Sequence, residues 1–303
     1  MKVLVTGGAG FVGTNLALSL LEHGYDVKIF DDLSTGLEQN IPKDAEFINA
    51  SLLENSKLNN VIKDCDVVVH LGARGSVPRS IKDPIATHDV NSTGTLNVLE
   101  AARSSGSHYI FSSSSSVYGS NMTLPKSEDM VLRPLTPYAA SKMSGEALSL
   151  AYAKSYELPV STFRFFNIFG PWQRPDHEYA AVLPKWISKC LKGDEIEIFG
   201  DGLQTRDFTY VGTVVNIILS CISKKILHSE PVNLAYGNNI SLNQVLEIMK
   251  LNFPTLKVKY LPPRKGDVLH SKNDPKLIKT LYPDITRDKF EVSLQKTIDW
   301  FKN

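Results

Sequence analysis

The sequence predicts an α/β protein: a doubly wound parallel sheet with helices on both faces, followed by a smaller C-terminal α/β domain. Three observations carry that expectation. Through the first half of the chain, short Val/Ile/Phe-rich runs alternate with helix-length amphipathic segments. Strand, helix and strand repeated in this way specify parallel pairing. The first run opens directly into a glycine-rich turn, Thr6-Gly7-Gly8-Ala9-Gly10-Phe11-Val12-Gly13. Beyond about Asn167 the rhythm changes, with proline and glycine punctuating 170–202 and shorter elements after it.

In chain order, strands are expected at 3–5, 26–30, 46–48, 67–70, 109–112 and 160–165. Most are rich in Val, Ile or Phe and bounded by Gly, Asp or Ser. Helices are expected at 12–22, 58–63, 93–104 and 138–156. In the last third, 195–199, 231–234 and 257–261 read as strands, and 241–251, 275–281 and 292–302 as helices. These later elements form the second domain. The one low-complexity run is five serines, 112–116.

A chain of 303 residues supports one large core or two modest ones. With 42% hydrophobic and 21% charged residues it has an ordinary globular composition. A net charge of +1 gives no electrostatic basis for holding nucleic acid or an anionic membrane. No apolar run approaches the roughly 18–20 residues that span a bilayer. Met1-Lys2 leads straight into Val3-Leu4-Val5, without the apolar region of a secretion signal. Cys65, Cys190 and Cys221 are odd in number, far apart and without metal spacing. They are expected to be reduced thiols of a cytoplasmic protein, packed as small hydrophobes, and no metal is expected.

The glycine turn satisfies both Gly-x-x-Gly-x-x-Gly and Gly-x-Gly-x-x-Gly. Such glycines let the backbone approach a pyrophosphate held at a helix N-terminus. The next strand ends at Asp31-Asp32, with Asp31 18 residues after Gly13. A carboxylate there accepts hydrogen bonds from an adenosine ribose and repels a 2′-phosphate, which favours NAD over NADP. A lone glycine motif is weak; its position, the following helix and the downstream Asp agree.

Tyr138 and Lys142 are four residues apart at the start of an expected helix, so both lie on one face. Eleven tyrosines make such a spacing unremarkable by itself. The serine run upstream supplies the context, because it lies at the carboxyl end of an expected sheet strand, where ligands of open parallel sheets gather. A hydride leaves a carbinol carbon only if the hydroxyl proton is also removed. Tyrosine at its ordinary pKa of about 10 is too protonated for that task at neutral pH. Lys142 and a nicotinamide positive charge are expected to lower that pKa. Ser114 would hold the same substrate oxygen against Tyr138.

At this point the chain resembles, over essentially its whole length, the extended short-chain dehydrogenases that act on nucleotide-sugars. The matches are the glycine motif, Asp31, His70-Leu71-Gly72-Ala73, Asn91-x-x-Gly94-Thr95, Ser112-Ser113-Ser114-x-x-Val117-Tyr118-Gly119 and Tyr138-x-x-x-Lys142. Further matches are Arg164-Phe165-Phe166-Asn167, Gly200-Asp201-Gly202-x-x-x-Arg206-Asp207-Phe208 and Arg264-x-Gly266-Asp267. The resemblance implies a Rossmann-type NAD-binding domain over 1–166 plus about 205–228, with a nucleotide-sugar domain over about 167–204 and 229–303. It implies that Gly7, Gly10, Phe11, Val12, Gly13, Asp31, Asp32, Ser51, Leu52, Leu71, Ala73 and Asn91 bind NAD. Ser112, Tyr138, Lys142 and Phe165 join that set. For the substrate it implies Ser76, Arg79, Ser114, Ser116, Tyr138, Asn167, Ala181, Val182, Arg206, Arg264, Asp267 and Ser271. Two arginines and an asparagine suit adjacent phosphates by charge and fork geometry, although solvated arginine is the default for either alone. The chain departs from the family pattern at Ser51, where relatives often carry Asp near the adenine. It departs again at Phe165, where many epimerases carry Tyr.

Relatives that dehydrate or decarboxylate their sugars carry Glu, often with Asp, after the catalytic Ser or Thr. Here Ser115 and Ser116 follow Ser114, and neither does proton work at neutral pH. The resemblance therefore implies 4-epimerisation of a UDP-sugar: Tyr138 takes the O4 proton, the C4 hydride passes to NAD, and the 4-keto sugar turns and receives it on its other face. Segments 75–80 and 179–184 resemble epimerases that accept UDP-N-acetylhexosamines. The family's gate beside the C2 substituent falls at Ser271, small enough to leave room for an N-acetyl group. UDP-GlcNAc and UDP-GalNAc rank first, alone or alongside UDP-glucose and UDP-galactose, with a 4-epimerase of UDP-glucose only as one alternative. The loop Gly170-Pro171-Trp172-Gln173-Arg174-Pro175-Asp176 resembles UDP-glucuronate 4-epimerases instead. A non-catalytic NAD-binding regulator is the rival from another class. Relatives also pair helices matching 90–104 and 139–156 into a homodimer, the expected assembly.

Overall fold

The computed structural model describes residues 1–176, 180–263 and 269–303. Arg264 and Asp267, assigned to substrate on sequence grounds, lie outside the described residues, as does Tyr179. The chain forms two compact units. The first comprises Met1–Asn121, Glu128–Phe165 and Val215–Asn233; the second comprises Met122–Ser127, Phe166–Val214 and Leu234–Asn303.

The first unit is built on strands β1 (Lys2–Thr6), β2 (Asp26–Asp31), β3 (Glu46–Asn49), β4 (Val67–His70), β5 (His108–Ser114) and β6 (Val160–Phe165). Their spatial order is β6-β5-β4-β1-β2-β3, and the pairings between neighbours are parallel. A seventh strand, His228–Leu234, lies at the β6 edge. This corrects the placement of 231–234 in the smaller domain: strand character is readable locally, but the sheet a strand joins is not. Val3, Leu4 and Val5 and all four residues of β4 are buried, as a sheet covered on both faces requires. One apolar cluster joins Leu4, Phe30, Val68 and Phe111 of the sheet to Leu58 and Ile62 of helix α2 (Asn55–Ile62) and to Val98 and Leu99 of the Gly94–Ser105 helix. The order reverses between β1 and β4, so their carboxyl ends form the switch point at which this class of sheet opens a crevice.

Among the described residues, four α-helices were not anticipated from sequence: Val77–Lys82, Pro84–His88, Val182–Lys192 and Val211–Ser223. A π-helical turn, Asp89–Thr93, precedes the Gly94–Ser105 helix and carries Asn91.

The second unit contains three pairs of short strands. Ile168–Phe169 runs parallel to Thr209–Tyr210, and Ile196–Phe199 parallel to Val258–Leu261. Thr205–Arg206 runs antiparallel to Ile240–Ser241. The Leu242–Asn252 helix begins in a reciprocal cap: Gln244 N–H donates to Ser241 Oγ, and Ser241 N–H to Gln244 Oε1. Phe169, Trp186, Ile198, Phe208, Leu246, Phe290 and Leu294 belong to its core. The sequence division assigned 205–228 to the first domain; the compact units place 205–214 in the second.

Among the described residues, no helix is long and apolar enough to cross a membrane, and no three His, Cys, Asp or Glu side chains group as metal ligands. The three cysteines are free; Cys65 and Cys221 are buried and Cys190 is half-buried.

Candidate active site

The glycine turn joins β1 to helix α1 (Phe11–Glu22). Gly7 adopts φ +69, and a Cβ there would meet Gly72 N at 2.7 Å, beyond the end of β4. A Cβ on Gly13 would lie 2.2 Å from Gly7 O, so only glycine lets α1 start this close to the strand. Gly10 caps α1 with no side-chain hydrogen bond, and the first turn holds no acidic residue. The N–H groups headed by Phe11 and Val12 are therefore the unscreened positive end of the helix.

Asp31 is buried at the end of β2. Its Oδ2 accepts from Ala9 N–H at 3.0 Å and its Oδ1 from Leu33 N–H at 2.9 Å. Burial pushes its pKa up and those two donors pull it back. The carboxylate thus braces the glycine turn, and its remaining lone pairs are what a ribose would meet. Asp32 is exposed and accepts Ser34 N–H at 2.9 Å. Ser51 is half-buried, and its hydroxyl accepts Leu53 N–H. Leu52 is buried and its carbonyl accepts from Asn97. Leu71 and Ala73 follow β4 directly, partly exposed. Glycines where a Cβ would collide, an uncapped helix start and an acid ending β2 together fit a dinucleotide.

Asn91 is committed inside the protein. Its Oδ1 accepts Arg74 N–H at 2.7 Å, while Nδ2 donates to Arg74 O at 3.3 Å and Ser141 Oγ at 3.0 Å. It braces the post-β4 loop against the Tyr138 helix, which leaves little capacity for the direct cofactor contact expected of it. His70, which had been given no role, is buried in a satisfied relay. Gly72 N–H donates to Thr6 Oγ1, which faces His70 Nδ1 at 2.7 Å. Nε2 faces Thr95 Oγ1, which donates to Asn91 O. Burial, then the Lys142 charge, bring its pKa down to about 3, so His70 is neutral.

The Pro137–Ser155 helix starts behind Thr136, whose Oγ1 accepts Ala139 N–H, with proline at its first position. Tyr138 and Lys142 project from its first turns toward the end of β5. Tyr138 lies beside the Ser114 hydroxyl, and Lys142 Nζ donates to Ser112 O at 2.8 Å. Lys142 is buried, 5.3 Å from the Phe111 ring centroid. Ser114 Oγ also accepts Ser116 N–H at 3.2 Å, and Ser116 Oγ is buried without a partner. Phe165 pairs with Ser114 at the end of β6.

In the chain taken alone, burial raises the Tyr138 pKa, opposed by Ser114; the expected lowering needs the nicotinamide charge as well as Lys142. Burial brings Lys142 itself down to about 8, opposed by Glu146. A folded pKa below the ordinary lysine value means that a buried charge is carried at neutral pH and released as pH rises through about 8. Affinity for an anionic dinucleotide is therefore expected to weaken through that range. Calorimetric titration with NAD checks this; a Lys142→Met protein should bind more weakly and show no such step.

In the second unit, a cavity of about 280 Å³ brings together Asn167, Ala181, Val182 and Arg206, four residues singled out from sequence. Phe169, Trp186, Glu197, Phe199, Gln204 and Leu242 also line it, and none of these had been picked. Phe199 directly precedes Gly200-Asp201-Gly202, a cue that the sequence did contain. Arg206 Nη1 donates to Thr205 O at 3.0 Å, and Asn167 Nδ2 to Asp207 O at 3.4 Å. Ser271 N–H donates to Thr205 O at 3.1 Å, next to Arg206 in the chain, but Ser271 is not among the cavity's lining residues. Asp207 is buried and accepts N–H groups of Gly237, Asn238 and Asn273, while desolvation pushes it up to about 6. In the first unit, Ser76 caps the Val77–Lys82 helix by accepting Arg79 N–H, and Arg79 is partly exposed.

A switch-point crevice behind a glycine turn, with a Tyr/Lys helix against a serine-bearing strand end, belongs to the class of doubly wound dinucleotide-dependent enzymes. The model of the NAD dependent epimerase/dehydratase family matches residues 3–235. The chain belongs to that family, and its cofactor is NAD. It is 37% identical to a putative UDP-glucose 4-epimerase of Methanocaldococcus jannaschii, over 99% of this chain and 98% of that protein. It is 33% identical to a UDP-N-acetyl-alpha-D-glucosaminuronate decarboxylase of Bacillus cytotoxicus, with the same shares covered. Among solved structures it is similar to the UDP-N-acetylglucosamine 4-epimerase of Methanobrevibacter ruminantium M1 in complex with UDP-N-acetylmuramic acid. That similarity has a TM-score of 0.94 at 36% identity, covering 99% of this chain and 98% of the other.

Proposed function

We propose that this chain is a UDP-sugar 4-epimerase whose preferred pair is UDP-GlcNAc and UDP-GalNAc. The observation that carries the reaction type is Tyr138 set beside Ser114 and Lys142, with Ser115 and Ser116 rather than an acid following Ser114 in the chain. A carboxylic acid there would serve elimination or decarboxylation; hydroxyls leave only removal and return of the O4 proton. Tyr138 Oη takes that proton and gives it back, and Ser114 Oγ holds O4 in line with it. Lys142 supplies positive charge beside the phenol and would hold the cofactor ribose. Gly7, Gly10, Phe11, Val12, Gly13 and Asp31 would seat the rest of NAD, with Ser51, Leu52, Leu71, Ala73, Ser112 and Phe165 around it. When bound, NAD supplies a reversible acceptor for the C4 hydride. Asn167 and Arg206, with Arg264, would hold the diphosphate while the 4-keto sugar presents its other face.

The acetylated substrate rests on small Ser271 at the gate position and on the family likeness of 75–80 and 179–184. In the glucuronate-like loop, Arg174 is engaged by Asp176 through Nε at 2.9 Å and Nη2 at 2.8 Å. A guanidinium neutralised in this way is poorly placed to receive a C6 carboxylate, which ranks UDP-glucuronate second. We also propose a homodimer through the Gly94–Ser105 and Pro137–Ser155 helices, on which Leu96 and Met143 are exposed, in a cytoplasmic setting.

Proton NMR of the purified protein with UDP-GlcNAc, UDP-glucose or UDP-glucuronate tests the reading. UDP-GalNAc is expected to form fastest; exclusive reaction of the glucuronate would overturn the substrate choice. No reaction after NAD is added would overturn the epimerase reading itself. Ser271→Tyr is expected to depress the acetylated activity by roughly tenfold or more while sparing UDP-glucose, since crowding by about 1–3 kcal/mol acts only on the larger substituent. Equal losses on both sugars would remove Ser271 from the gate.

A further inference from the structure

We propose that Glu146 is a positioning residue of the Ser114–Tyr138–Lys142 centre, holding the end of β5 to the Tyr138 helix through Ser113 and itself held by Arg164. The inference rests on the 4-epimerase reading and extends it to residues assigned no role there.

Three consecutive residues of β5 are each tied to one helix. Ser114 lies beside Tyr138, Ser112 O accepts from Lys142, and Ser113 Oγ donates to Glu146 Oε1. Residues 138, 142 and 146 follow each other at intervals of four, so they form one stripe along the helix. Ser113 meets that stripe through its hydroxyl and Ser112 through its backbone carbonyl, while the Ser112 hydroxyl donates to His70 O. Ser114 is the last residue of β5, and its neighbours on the strand are fixed by Lys142 and Glu146.

Glu146 is in turn immobilised. Arg164 of β6 donates to it from Nε and Nη2, both at 2.9 Å, in a bidentate pair. Both side chains are buried, 6% and 4% exposed. Arg164 Nη1 continues to Tyr118 Oη at 2.9 Å and Glu128 O at 3.2 Å, and Tyr118 donates to Asn233 Oδ1 at 2.7 Å. Buried ion pairs add little net stability over apolar residues of the same size, because desolvation offsets the attraction. What this one contributes is direction: a carboxylate that cannot rotate, facing the serine next to Ser114.

The test compares Ser113→Ala, Ser113→Thr and the double variant Glu146→Leu/Arg164→Met, which exchanges the pair for apolar residues without leaving a lone buried charge. In Ser113→Ala and the double variant, kcat on the preferred UDP-sugar is expected to fall about ten- to a hundredfold, as a sub-ångström misplacement does. KM should stay within about twofold. Ser113→Thr, which keeps the hydroxyl, should restore kcat. The readout independent of turnover is the ¹³C resonance of Tyr138 Cζ, assigned by its absence in Tyr138→Phe. It should shift in Ser113→Ala and the double variant and return in Ser113→Thr. Folded variants with unchanged kcat and an unmoved resonance would overturn the inference. Wild-type protein inactive on every UDP-sugar would instead overturn the epimerase reading, and the resonance would still decide the role of Glu146.

Discussion

Tyr138→Phe is expected to lower kcat on the preferred UDP-sugar by about a thousandfold while KM changes by no more than a few fold. Phenylalanine keeps the ring and its packing but cannot take or return the O4 proton. Positioned proton transfer contributes about 10²–10⁴ in rate, so the loss corresponds to about 4 kcal/mol of transition-state stabilisation. The effect should lie in kcat because the phenol acts on the reacting atom rather than on the nucleotide. Burial raises the Tyr138 pKa in the chain taken alone, opposed by Ser114. The phenol therefore keeps its proton at neutral pH until the nicotinamide charge joins that of Lys142 beside it. Initial rates of C4 epimer formation by NMR, with KM measured on the same protein, check this. Residual kcat within tenfold of wild type would remove Tyr138 from the proton-transfer role.

The second large effect is expected from Gly13→Ala, which should weaken NAD retention and destabilise the first unit. In an ordinary helix the change would help, since alanine is favoured over glycine by about 1 kcal/mol. Here the new Cβ would sit 2.2 Å from Gly7 O and 2.6 Å from Gly8 Cα, both backbone atoms that no rotamer change can move aside. Sterics therefore decide the sign. Overpacking costs about 1–3 kcal/mol or more, and the required shift of α1 displaces the N–H groups that would face a pyrophosphate. Affinity for NAD should fall by about a hundredfold, near 2.8 kcal/mol. Calorimetric titration and a thermal melt with and without NAD measure both parts. A protein that binds NAD as wild type does would refute the assignment of the glycine turn to the cofactor.

Some of this protein was legible residue by residue. The apolar run 67–70 forms β4, and the amphipathic stretch 138–156 forms the Pro137–Ser155 helix, because period and composition are local properties. The four-residue interval between Tyr138 and Lys142 placed both on one helix face for the same reason. The Val211–Ser223 helix escaped notice because its run of Val, Ile and Thr reads locally as strand as readily as helix.

Other features required the folded chain. Glu146 shares the stripe of Tyr138 and Lys142 and was equally visible in the sequence. Nothing marked it until Arg164 and Ser113 were brought to its carboxylate from β6 and β5. Asn91 read as a cofactor contact, yet its amide is taken by Arg74 and Ser141. The rise in the Tyr138 pKa of the chain taken alone was not readable in the sequence, because desolvation depends on everything packed around a group, not on its nearest charged neighbour. The sequence by itself determined the alternation of strands and helices, the glycine turn and the Tyr/Lys spacing, all set within a few residues of one another. The tertiary structure decided that 228–234 edges the main sheet, which side chains line the cavity of the second unit and which polar groups are already spent. Those depend on contacts between residues far apart in the chain, which burial and hydrogen-bond satisfaction select only once the core has formed.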